Sequence, residues 1–432
     1  MSVGSVMIRV EVGSTVINRP GNFKFIDYIK ITIFGFGLAS LWSSMHSIIL
    51  PVRLLDFVAE SEKNTYLGVL TFAGLVLAII IQPIAGALSD RFGFQWGRRR
   101  PYILIGAATA IILIPVMGLV GSYLAIFVAY CLLQASINIA QGPCQALIPD
   151  FVPTGKRGLA SGVKSLLEVL GGIFFLYPIA IFIDRYSSGQ GVFWLWLALG
   201  TLVAVLFAVT LATVVTVKEM PATRSRSSFL YTLSKSFHIN VKAGSYFVWF
   251  LVSRLFIFMS FTTIQTFALY FLRDVVGVTS PASATAQFSI VAVAGMLVVG
   301  YPAGRLSDRV GRRSIVMTAG LLGALGIALI FLFQNNYMLI ILSAGLVGIS
   351  FGAFLSTNWA MAIDLLPKGE EARYLGLTNL ATAGGAALAR LIGPVIDFFN
   401  AYRPGMGYSV MLLACFIYLL VGSALLLKVQ SK

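Results

Sequence analysis

Runs of apolar residues alternate with short polar segments along almost the whole chain. Each run is about 20 residues long, the length a helix needs to cross the hydrocarbon core of a bilayer. Twelve such runs lie at residues 29–52, 67–88, 102–121, 123–147, 162–183, 193–217, 246–272, 284–306, 314–333, 336–360, 374–397 and 408–428. The pattern predicts an all-α membrane protein with twelve transmembrane helices. Residues 1–27 lack the apolar core and cleavage site of a signal peptide, so we expect no cleaved leader.

The longest polar interruption, residues 218–245, divides the predicted helices into two groups of six. We therefore predict an N-terminal six-helix bundle at 1–217, a linker at 218–245 and a C-terminal six-helix bundle at 246–432. The second part of the linker reads FLYTLSKSFHINVKAG. Its basic, amphipathic character favours a helix that lies on the membrane surface.

The composition explains why the bilayer must surround this chain. Of its 432 residues, 58% are hydrophobic and 11% are charged, whereas a soluble domain has about 25% charged residues. Such a large apolar surface does not fit inside one water-soluble core. The sequence therefore predicts an integral membrane protein and excludes a soluble one.

Positive charge is distributed unequally between the predicted loops. Of the 31 Lys and Arg, 23 flank the helices on one side. The other side has only Arg53, Lys63, Arg185, Arg273 and Arg403, and three more lie within helices: Lys164, Arg254 and Arg390. Because basic loops remain in the cytoplasm, we predict that both termini and residues 218–245 are cytoplasmic, as expected of a protein in the cytoplasmic membrane. The net charge of +15 then faces anionic lipids, which makes a nucleic-acid partner unnecessary.

The two halves repeat each other. The segment GALSDRFG at 86–93 returns as GRLSDRVG at 304–311. Asp150 with Arg157, just past the fourth helix, returns as Asp364 with Arg373 past the tenth. Two six-helix halves in parallel register are typical of a secondary transporter with its site between them.

The repeated loop resembles the signature loop of the major facilitator superfamily, and the resemblance covers nearly the whole chain. It implies two pseudo-symmetric six-helix bundles that work by alternating access, in a protein that functions as a monomer. Glycines in the loop permit close helix approach and a tight turn. We interpret the loop residues as gating and docking elements: Gly86, Asp90, Arg91, Gly93, Arg98, Arg99, Arg100, Gly304, Asp308, Arg309, Gly311, Arg312, Asp364 and Arg373.

A narrower resemblance lies in the segments RRRPYIL at 98–104 and QGPCQALIPD at 141–150. They resemble the sucrose/proton symporters and their glycoside-transporting relatives. That family usually has Arg where this chain has Gln145, which puts disaccharide specificity in doubt. Asp150 resembles a carboxylate that matters in those symporters. It is at least as well interpreted as a cytoplasmic charge latch, mirrored by Asp364, with Arg98 to Arg100 or Arg157 as its partner.

Charged residues within predicted helices are candidates for function, because charge is expensive in lipid. Lys164 and Glu168 are four residues apart and so meet on one helix face. They form either a proton-coupling pair or a structural ion pair. Arg254 and Arg390 have no carboxylate four residues away in their own helices, so each must find its partner elsewhere, in a substrate anion, in Glu168 or in a backbone carbonyl.

Uncharged polar side chains in the helices are also candidates. His46 can titrate near neutral pH or serve only as a hydrogen-bonding group. Amides and aromatic rings suit a sugar, although such residues also join helices through hydrogen bonds. This group comprises Trp42, Asn138, Gln141, Gln265, Asn358, Trp359 and Asn379.

Several motifs are absent from the sequence. It has no nucleotide-binding glycine-rich loop followed by Lys and Ser or Thr, and no nucleophile beside a base, so we expect neither an ATP-driven pump nor an enzyme. Cys131, Cys144 and Cys415 show no disulfide or metal spacing, and we expect no cofactor or metal. The second helix, 67–88, lacks the carboxylates that sodium-coupled melibiose-type relatives use there, which leaves protons as the coupling ion.

The sequence therefore favours a proton-coupled symporter for a sugar or related small polar solute. An exporter of amphipathic compounds remains an alternative, since the chain has 32 Phe. A membrane assembly factor or pigment carrier that transports nothing is a further alternative. The cavity separates these possibilities: amides and charges favour the first, Phe and Met the second, and a poorly formed cavity the third.

The first prediction concerns topology. In a protein without its natural cysteines, Ser227→Cys in the linker should react with a membrane-impermeant thiol reagent only after the cells are opened. Ser188→Cys, between the fifth and sixth predicted helices, is the matched control and should react in intact cells. Labelling of Ser227→Cys from outside intact cells would overturn the predicted orientation.

Overall fold

The computed structural model describes residues 24–92, 94–219, 245–365 and 371–429. Within them, twelve helices are long and apolar enough to cross a membrane. We number them α1 Phe25–Leu54, α2 Lys63–Arg91, α3 Arg100–Leu119, α4 Tyr123–Phe151, α5 Arg157–Ser187, α6 Phe193–Thr216, α7 Tyr246–Val276, α8 Pro281–Val310, α9 Arg312–Leu332, α10 Tyr337–Asp364, α11 Tyr374–Tyr402 and α12 Met406–Lys428. The twelve predicted helices are confirmed. Most extend past the apolar runs because their polar ends remain helical. Residues 220–244, most of the predicted linker, lie outside the described residues.

The twelve helices form two bundles, α1–α6 and α7–α12, with the same packing in each. In the first bundle α1 packs on α5 and α6, α4 packs on α2 and α3, and α3 packs on α6. The second bundle repeats every one of these pairs, six helices later. Between the bundles, α2 packs on α11 and α5 packs on α8. The predicted pseudo-symmetric architecture is confirmed.

Glycines bring helix backbones into direct contact inside the bundles. A Cβ at Gly171 of α5 would lie 2.1 Å from the carbonyl oxygen of Phe36 in α1. In the second bundle, Gly348 and Gly352 of α10 approach the carbonyls of Ala292 and Met296 in α8 in the same way. Small residues serve this purpose in membranes, where packing replaces the hydrophobic effect between helices.

Four helices depart from regular α-helical geometry. A π-helical turn at Met45–Ile49 interrupts α1, and α7 ends in another at Leu272–Val276. The α-helical segments of α5 meet at Phe175, and α11 is interrupted directly after Arg390. Such interruptions often mark functional sites in membrane helices.

We call the side of the molecule that holds residues 94–99 and 311 the signature-loop face, and the other side the opposite face. At the opposite face, a carboxylate from each bundle binds the first turn of a helix in the other. Asp184 of α5 accepts hydrogen bonds from the backbone N–H groups of Ala282 (2.9 Å) and Ser283 (2.8 Å) in α8. Asp397 of α11 accepts from the N–H of Asn64 (3.4 Å) and of Thr65 (2.6 Å) in α2.

The two interactions occupy matching positions in the repeat. Each carboxylate receives the second and third N–H groups of its target helix, groups that have no partner within the helix. Asp397 follows Asp184 by 213 residues, and Thr65 precedes Ser283 by 218. We refer to the pair as the cross-bundle caps. They join α5 to α8 and α11 to α2, the same helices that pack between the bundles.

Ion pairs add to the seal at the opposite face. Lys63 lies 2.5 Å from Asp274 of the other bundle, and Glu60 pairs with Arg273. Burial acts to raise the pKa of Glu60, but hydrogen bonds from Arg273 and Lys63 outweigh it and hold the pKa below its ordinary value. Tyr270 donates to the carbonyl of Pro51 at 2.8 Å. Side chains from both bundles therefore close this face.

The signature-loop face lacks such bridges in the described part of the chain. There, each ion pair joins residues of a single bundle, as in Arg99 with Asp90 and Arg312 with Asp364. The structure therefore represents a state closed at the opposite face, in which no ion pair between described residues ties the bundles together at the signature-loop face.

The second prediction concerns the cross-bundle caps. Asp184→Asn and Asp397→Asn remove the negative charge from a helix N-terminus, an interaction worth about 0.5–2 kcal/mol. Each change should shift the population about 2–30-fold toward a state open at the opposite face, and the double variant further. Spin labels at Glu62→Cys and Arg403→Cys, both exposed on this face, should report a longer distance.

The matched control is Asp56→Asn. Asp56 lies on the same face but forms its ion pair with Arg53 of its own bundle, so the label distance should stay as in the wild type. Unchanged distances in the double cap variant would contradict the proposed role of the caps.

Candidate functional site

A cavity of about 200 Å³ lies between the bundles, bordered by α1, α5, α7 and α11. The four helices form two symmetry-related pairs, α1 with α7 and α5 with α11. Polar and aromatic groups line much of it: Trp42, Ser43, His46, Gln265, Thr266 and Arg390, with Ala39 and Gly172. The volume falls below the roughly 300 Å³ at which pockets for drug-sized ligands begin. The cavity therefore suits a small polar solute.

A stacked pair of rings forms the α1 side of the cavity. Trp42 and His46 are four residues apart, and their ring centroids lie 5.0 Å apart with the planes 12° from parallel. His46 lies within the π-helical turn, and its Nε2 is 2.8 Å from the hydroxyl of Tyr130 in α4. The stack on Trp42, the hydrogen bond with Tyr130 and a longer contact with the amide of Gln134 (3.5 Å) together hold the histidine in place.

The hydrogen-bond network behind His46 continues along α4. Gln134 donates to the hydroxyl of Tyr130 at 2.7 Å, and Asn138 donates to the backbone carbonyl of Gln134 at 2.8 Å. Three polar side chains one turn apart thus fix the orientation of the histidine. Asn138 was a sequence candidate for binding solute, but the structure buries it behind the cavity wall.

Arg390 supplies the permanent charge of the cavity. The residue is 8% exposed, and one Nη group donates to the carbonyl of Ala386. The buried Nε has no hydrogen-bond partner in the part of the chain that the structure describes. It forms no ion pair with any described residue. The expected carbonyl bond is present, but it satisfies only part of the guanidinium.

Arg254 is buried in the second bundle and does not line the cavity. Its Nε donates to the hydroxyl of Thr382 at 2.8 Å, and one Nη donates to the side-chain oxygen of Asn358. Its guanidinium carbon lies 5.0 Å from the ring centre of Phe258 and 5.9 Å from that of Trp359. Acceptors and aromatic faces from α7, α10 and α11 stabilise this charge in the place of a carboxylate.

Lys164 and Glu168 form the ion pair that their spacing predicts, with 3.1 Å between Nζ and Oε1. The two side chains are 30% and 39% exposed. Glu168 packs against Gly35 of α1, where an added Cβ would lie 3.1 Å from its Cγ. The pair lies outside the cavity lining, one helical turn before Gly172, which is part of it.

Asp150 belongs to the signature-loop face. One of its oxygens lies 2.7 Å from Arg98 and the other accepts from Nε of Arg99 at 3.0 Å. Arg99, 4% exposed, also pairs with Asp90 at 2.5 Å. This geometry matches the charge-latch interpretation of Asp150.

The second bundle repeats this arrangement around Arg312. Arg312 lies 2.9 Å from Asp364 and 3.6 Å from Asp308. In both bundles one arginine thus connects the ends of two helices, α2 with α4 and α8 with α10. Arg312 and its carboxylate partners are more exposed than Arg99 and its partners.

The expected role of Gly86 and Gly304 in close helix approach requires correction. A Cβ at either residue would meet nothing within 4 Å, so close approach does not depend on the missing side chain at these two positions. It depends on Gly142 of α4, where a Cβ would lie 2.5 Å from the carbonyl oxygen of Gln82 and 3.1 Å from the backbone nitrogen of Gly86. Gly311 does adopt the left-handed backbone expected of a tight turn, with φ of 100°.

The remaining candidates are spread along the helices. Gln141 is half-buried, and Asn379 and Arg309 are exposed. Arg91 stacks on the ring of Phe92, and Arg100 donates to the carbonyl of Val214. Gly93 and the side chain of Arg373 lie outside the described residues.

Sequence reasoning missed Glu219, which follows α6. Its carboxylate accepts hydrogen bonds from the backbone N–H groups of Arg98 and Arg99 (2.8 Å for the latter), just before α3. It also missed the amide pair at 2.9 Å between Gln82 of α2 and Gln145 of α4. The sequence did single out Gln145, because it stands where the sucrose symporters usually have Arg. That difference was the one signal in the sequence that pointed to this amide pair.

A larger groove of about 430 Å³ lies between α3 and α4. Apart from Ser122 its lining is apolar: Leu113, Val116, Val120, Leu124, Ala125, Val128, Ala129 and Leu132. It contains no charged group or amide to bind a polar solute, and it touches only one bundle. The smaller polar cavity is therefore the functional candidate.

The sequence profile of the Major Facilitator Superfamily matches residues 32–388 and 279–431. The chain belongs to this superfamily. Membership confirms the resemblance inferred from the signature loops, and with it the prediction of a transporter in place of an enzyme. Family membership and the twelve helices that are long and apolar enough to cross a membrane together show that this is an integral membrane protein.

Curated relatives match only part of the chain. The minor myo-inositol transporter IolF of Bacillus subtilis is 33% identical over 104 residues, which cover 24% of this chain and 23% of the relative. The sucrose transport protein SUC4 of Arabidopsis thaliana is 25% identical over 164 residues, covering 34% and 31%. The matches thus span about a third or less of these relatives.

Solved structures match over nearly the full length. The D-xylose-proton symporter superposes with a TM-score of 0.69 at 16% identity, covering 93% of this chain and 97% of that chain. The nucleoside transporter NupG gives a TM-score of 0.70 at 15% identity, covering 93% and 100%. At these identities the likeness establishes the fold alone.

Proposed function

We propose that this member of the superfamily is a proton-coupled symporter for a sugar or related small polar solute. The observation that carries the proposal is the cavity between the bundles, in which Trp42, Gln265 and Arg390 combine an aromatic face with hydrogen-bond donors. The relatives named for myo-inositol and sucrose transport, and the structural neighbour named as a D-xylose-proton symporter, point to the same class of solute.

The size of the cavity refines the class of solute. At about 200 Å³ it favours a monosaccharide or cyclic polyol over a disaccharide. The amide pair of Gln82 and Gln145, present where the sucrose symporters usually have Arg, agrees with a solute other than sucrose.

Alternating access follows from the position of the seal. The cavity lies on α5 and α11, the two helices that carry the cross-bundle caps. Breaking the caps and bringing the signature-loop faces together would expose the cavity to the other side. One chain contains both bundles, so a monomer suffices, with both termini on the cytoplasmic side of the cytoplasmic membrane.

Proton coupling is assigned to Glu168. The carboxylate is half-exposed, pairs with Lys164 on the same helix, and lies one turn from Gly172 at the cavity. Glu168 lies beside Gly35 of α1, so a change in the packing of α5 against α1 would change the surroundings of its carboxylate. We propose that Glu168 takes up and releases the coupled proton as the packing around it changes.

The alternatives receive less support from the geometry. An exporter of amphipathic compounds calls for a cavity dominated by Phe and Met, and neither residue lines this one. A protein that transports nothing has no need of a polar cavity formed by both bundles.

The third prediction tests the proposal by uptake. The purified protein in proteoliposomes should concentrate at least one labelled solute from a panel of monosaccharides and cyclic polyols when the outside is acidic. For one proton per solute, a gradient of one pH unit supports about tenfold accumulation. A protonophore should reduce the ratio of solute concentration inside the vesicles to that outside to one. Protein-free vesicles are the control. The proposal is refuted if the protein transports no member of the panel, either with or without a pH gradient.

The fourth prediction concerns Glu168. Glu168→Gln removes the proton site, so the pH gradient should no longer drive accumulation. The ratio of solute inside to solute outside should fall from about tenfold to about one. Exchange of labelled for unlabelled solute should continue. The change leaves Lys164 unpaired, so Lys164→Gln with Glu168→Gln is the necessary control for stability. Normal proton-driven accumulation by that double variant would reduce the pair to a structural role.

A further inference from the structure

The cavity between the bundles carries a positive charge and no negative one. Of the eight described residues that line it, Arg390 alone is permanently charged and none is a carboxylate. The uncharged groups around it are Trp42, Gln265 and Thr266, with His46 on α1. None of the residues that the structure describes therefore places an anion against this guanidinium.

The hydrogen bonds of Arg390 leave most of its capacity unused. The guanidinium has five N–H donors. One group donates to Ala386, which lies in its own helix, and the buried Nε has no hydrogen-bond partner among the described residues. A buried donor without an acceptor is unfavourable, and for a charged group more so. Arg390 is 8% exposed, so the unpaired donor lies in a buried position.

Arg254 shows how side chains of one bundle can satisfy a buried arginine. It binds the oxygen atoms of Asn358 and Thr382 and stacks near two aromatic rings. Every one of these partners belongs to the same bundle. Arg390, two helical turns beyond Thr382 on α11, has no such set. The difference indicates that the partner of Arg390 comes from outside the chain.

We propose that the solute is an anion, and specifically a sugar or polyol that bears a carboxylate bound by Arg390. The proposal rests on the function proposed above, because it names the substrate class of the same cavity. A guanidinium matches a carboxylate through two parallel N–H···O bonds. The Trp42–His46 stack, Gln265 and Thr266 remain to bind the hydroxyl-bearing part of the solute.

An anionic solute also gives the proton a defined purpose. A membrane potential that is negative inside opposes the entry of an anion. One proton carried with each carboxylate makes the transfer electroneutral, so the potential no longer opposes it. Glu168, one turn from the cavity, is positioned to carry that proton while Arg390 holds the anion.

The experiment compares pairs of compounds that differ only in a CH₂OH or COO⁻ group: D-glucose with D-glucuronate, and D-glucitol with D-gluconate. Binding to the full-length purified protein is measured by titration calorimetry. A charge-assisted arginine–carboxylate pair should make the acidic member of at least one pair bind about tenfold or more tightly. Arg390→Gln should abolish that preference and keep the binding of neutral solute, while Arg390→Lys should retain part of it.

Arg403→Gln removes an exposed arginine outside the cavity and is the matched control; it should keep the full preference. Thermal unfolding of each variant verifies that it is folded. The comparison of acidic with neutral solutes in the wild-type protein tests the anionic substrate even if a variant does not fold.

The outcomes separate this inference from the proposed function. Equal or tighter binding of the neutral members would overturn the anionic substrate and leave sugar transport standing. Binding of benzoate as tightly as glucuronate would retain the anion site and overturn the sugar. Binding of none of the five compounds would overturn both.

Discussion

Closure of the opposite face depends on two carboxylates that each bind a helix N-terminus of the other bundle. Asp184 and Asp397 receive N–H groups that α8 and α2 cannot satisfy internally. An interaction of this kind contributes about 0.5–2 kcal/mol. Two of them therefore stabilise a closed state by an amount that a few kcal/mol of solute or proton binding can offset. Alternating access requires such a balance, because a ligand shifts an equilibrium only by its differential affinity for the two states.

The cavity and the caps share their helices, which provides a physical route between them. Gly172 lines the cavity on α5, and Asp184 caps α8 from the far end of the same helix. Arg390 lines it on α11, followed at once by the helix interruption and then by Asp397. The carbonyl of Arg390 also contacts α2, where a Cβ at Gly68 would lie 2.3 Å away. A solute that moves Arg390 thus acts on the segment that holds the bundles together.

The sequence was sufficient for the fold because its signals are local or repeated. Twelve apolar runs give twelve helices, and the doubled signature loop identifies two halves. It also anticipated Asp150 near Arg98 and Arg99, since all three lie at predicted helix ends on one side. The cross-bundle caps could not be predicted from the sequence. Asp184 lies 98 residues from Ala282, and in the sequence it looks like any acidic residue at a helix end. Cavity membership was equally hidden, because helix rotation and the π-helical turn decide which polar side chains face inward.

The three charged sites inside the helices differ in how their charge is balanced, and this difference separates structure from function. Arg254 is satisfied by its own bundle, and Lys164 with Glu168 is neutral as a pair. Arg390 alone leaves a net charge in the cavity, where the low dielectric makes an uncompensated charge unfavourable. With the anionic solute proposed above, the loaded cavity is neutral and the empty one is not. Closure of the cavity around Arg390 is then favoured when solute is bound, which is the condition for coupled transport without a leak of the empty state.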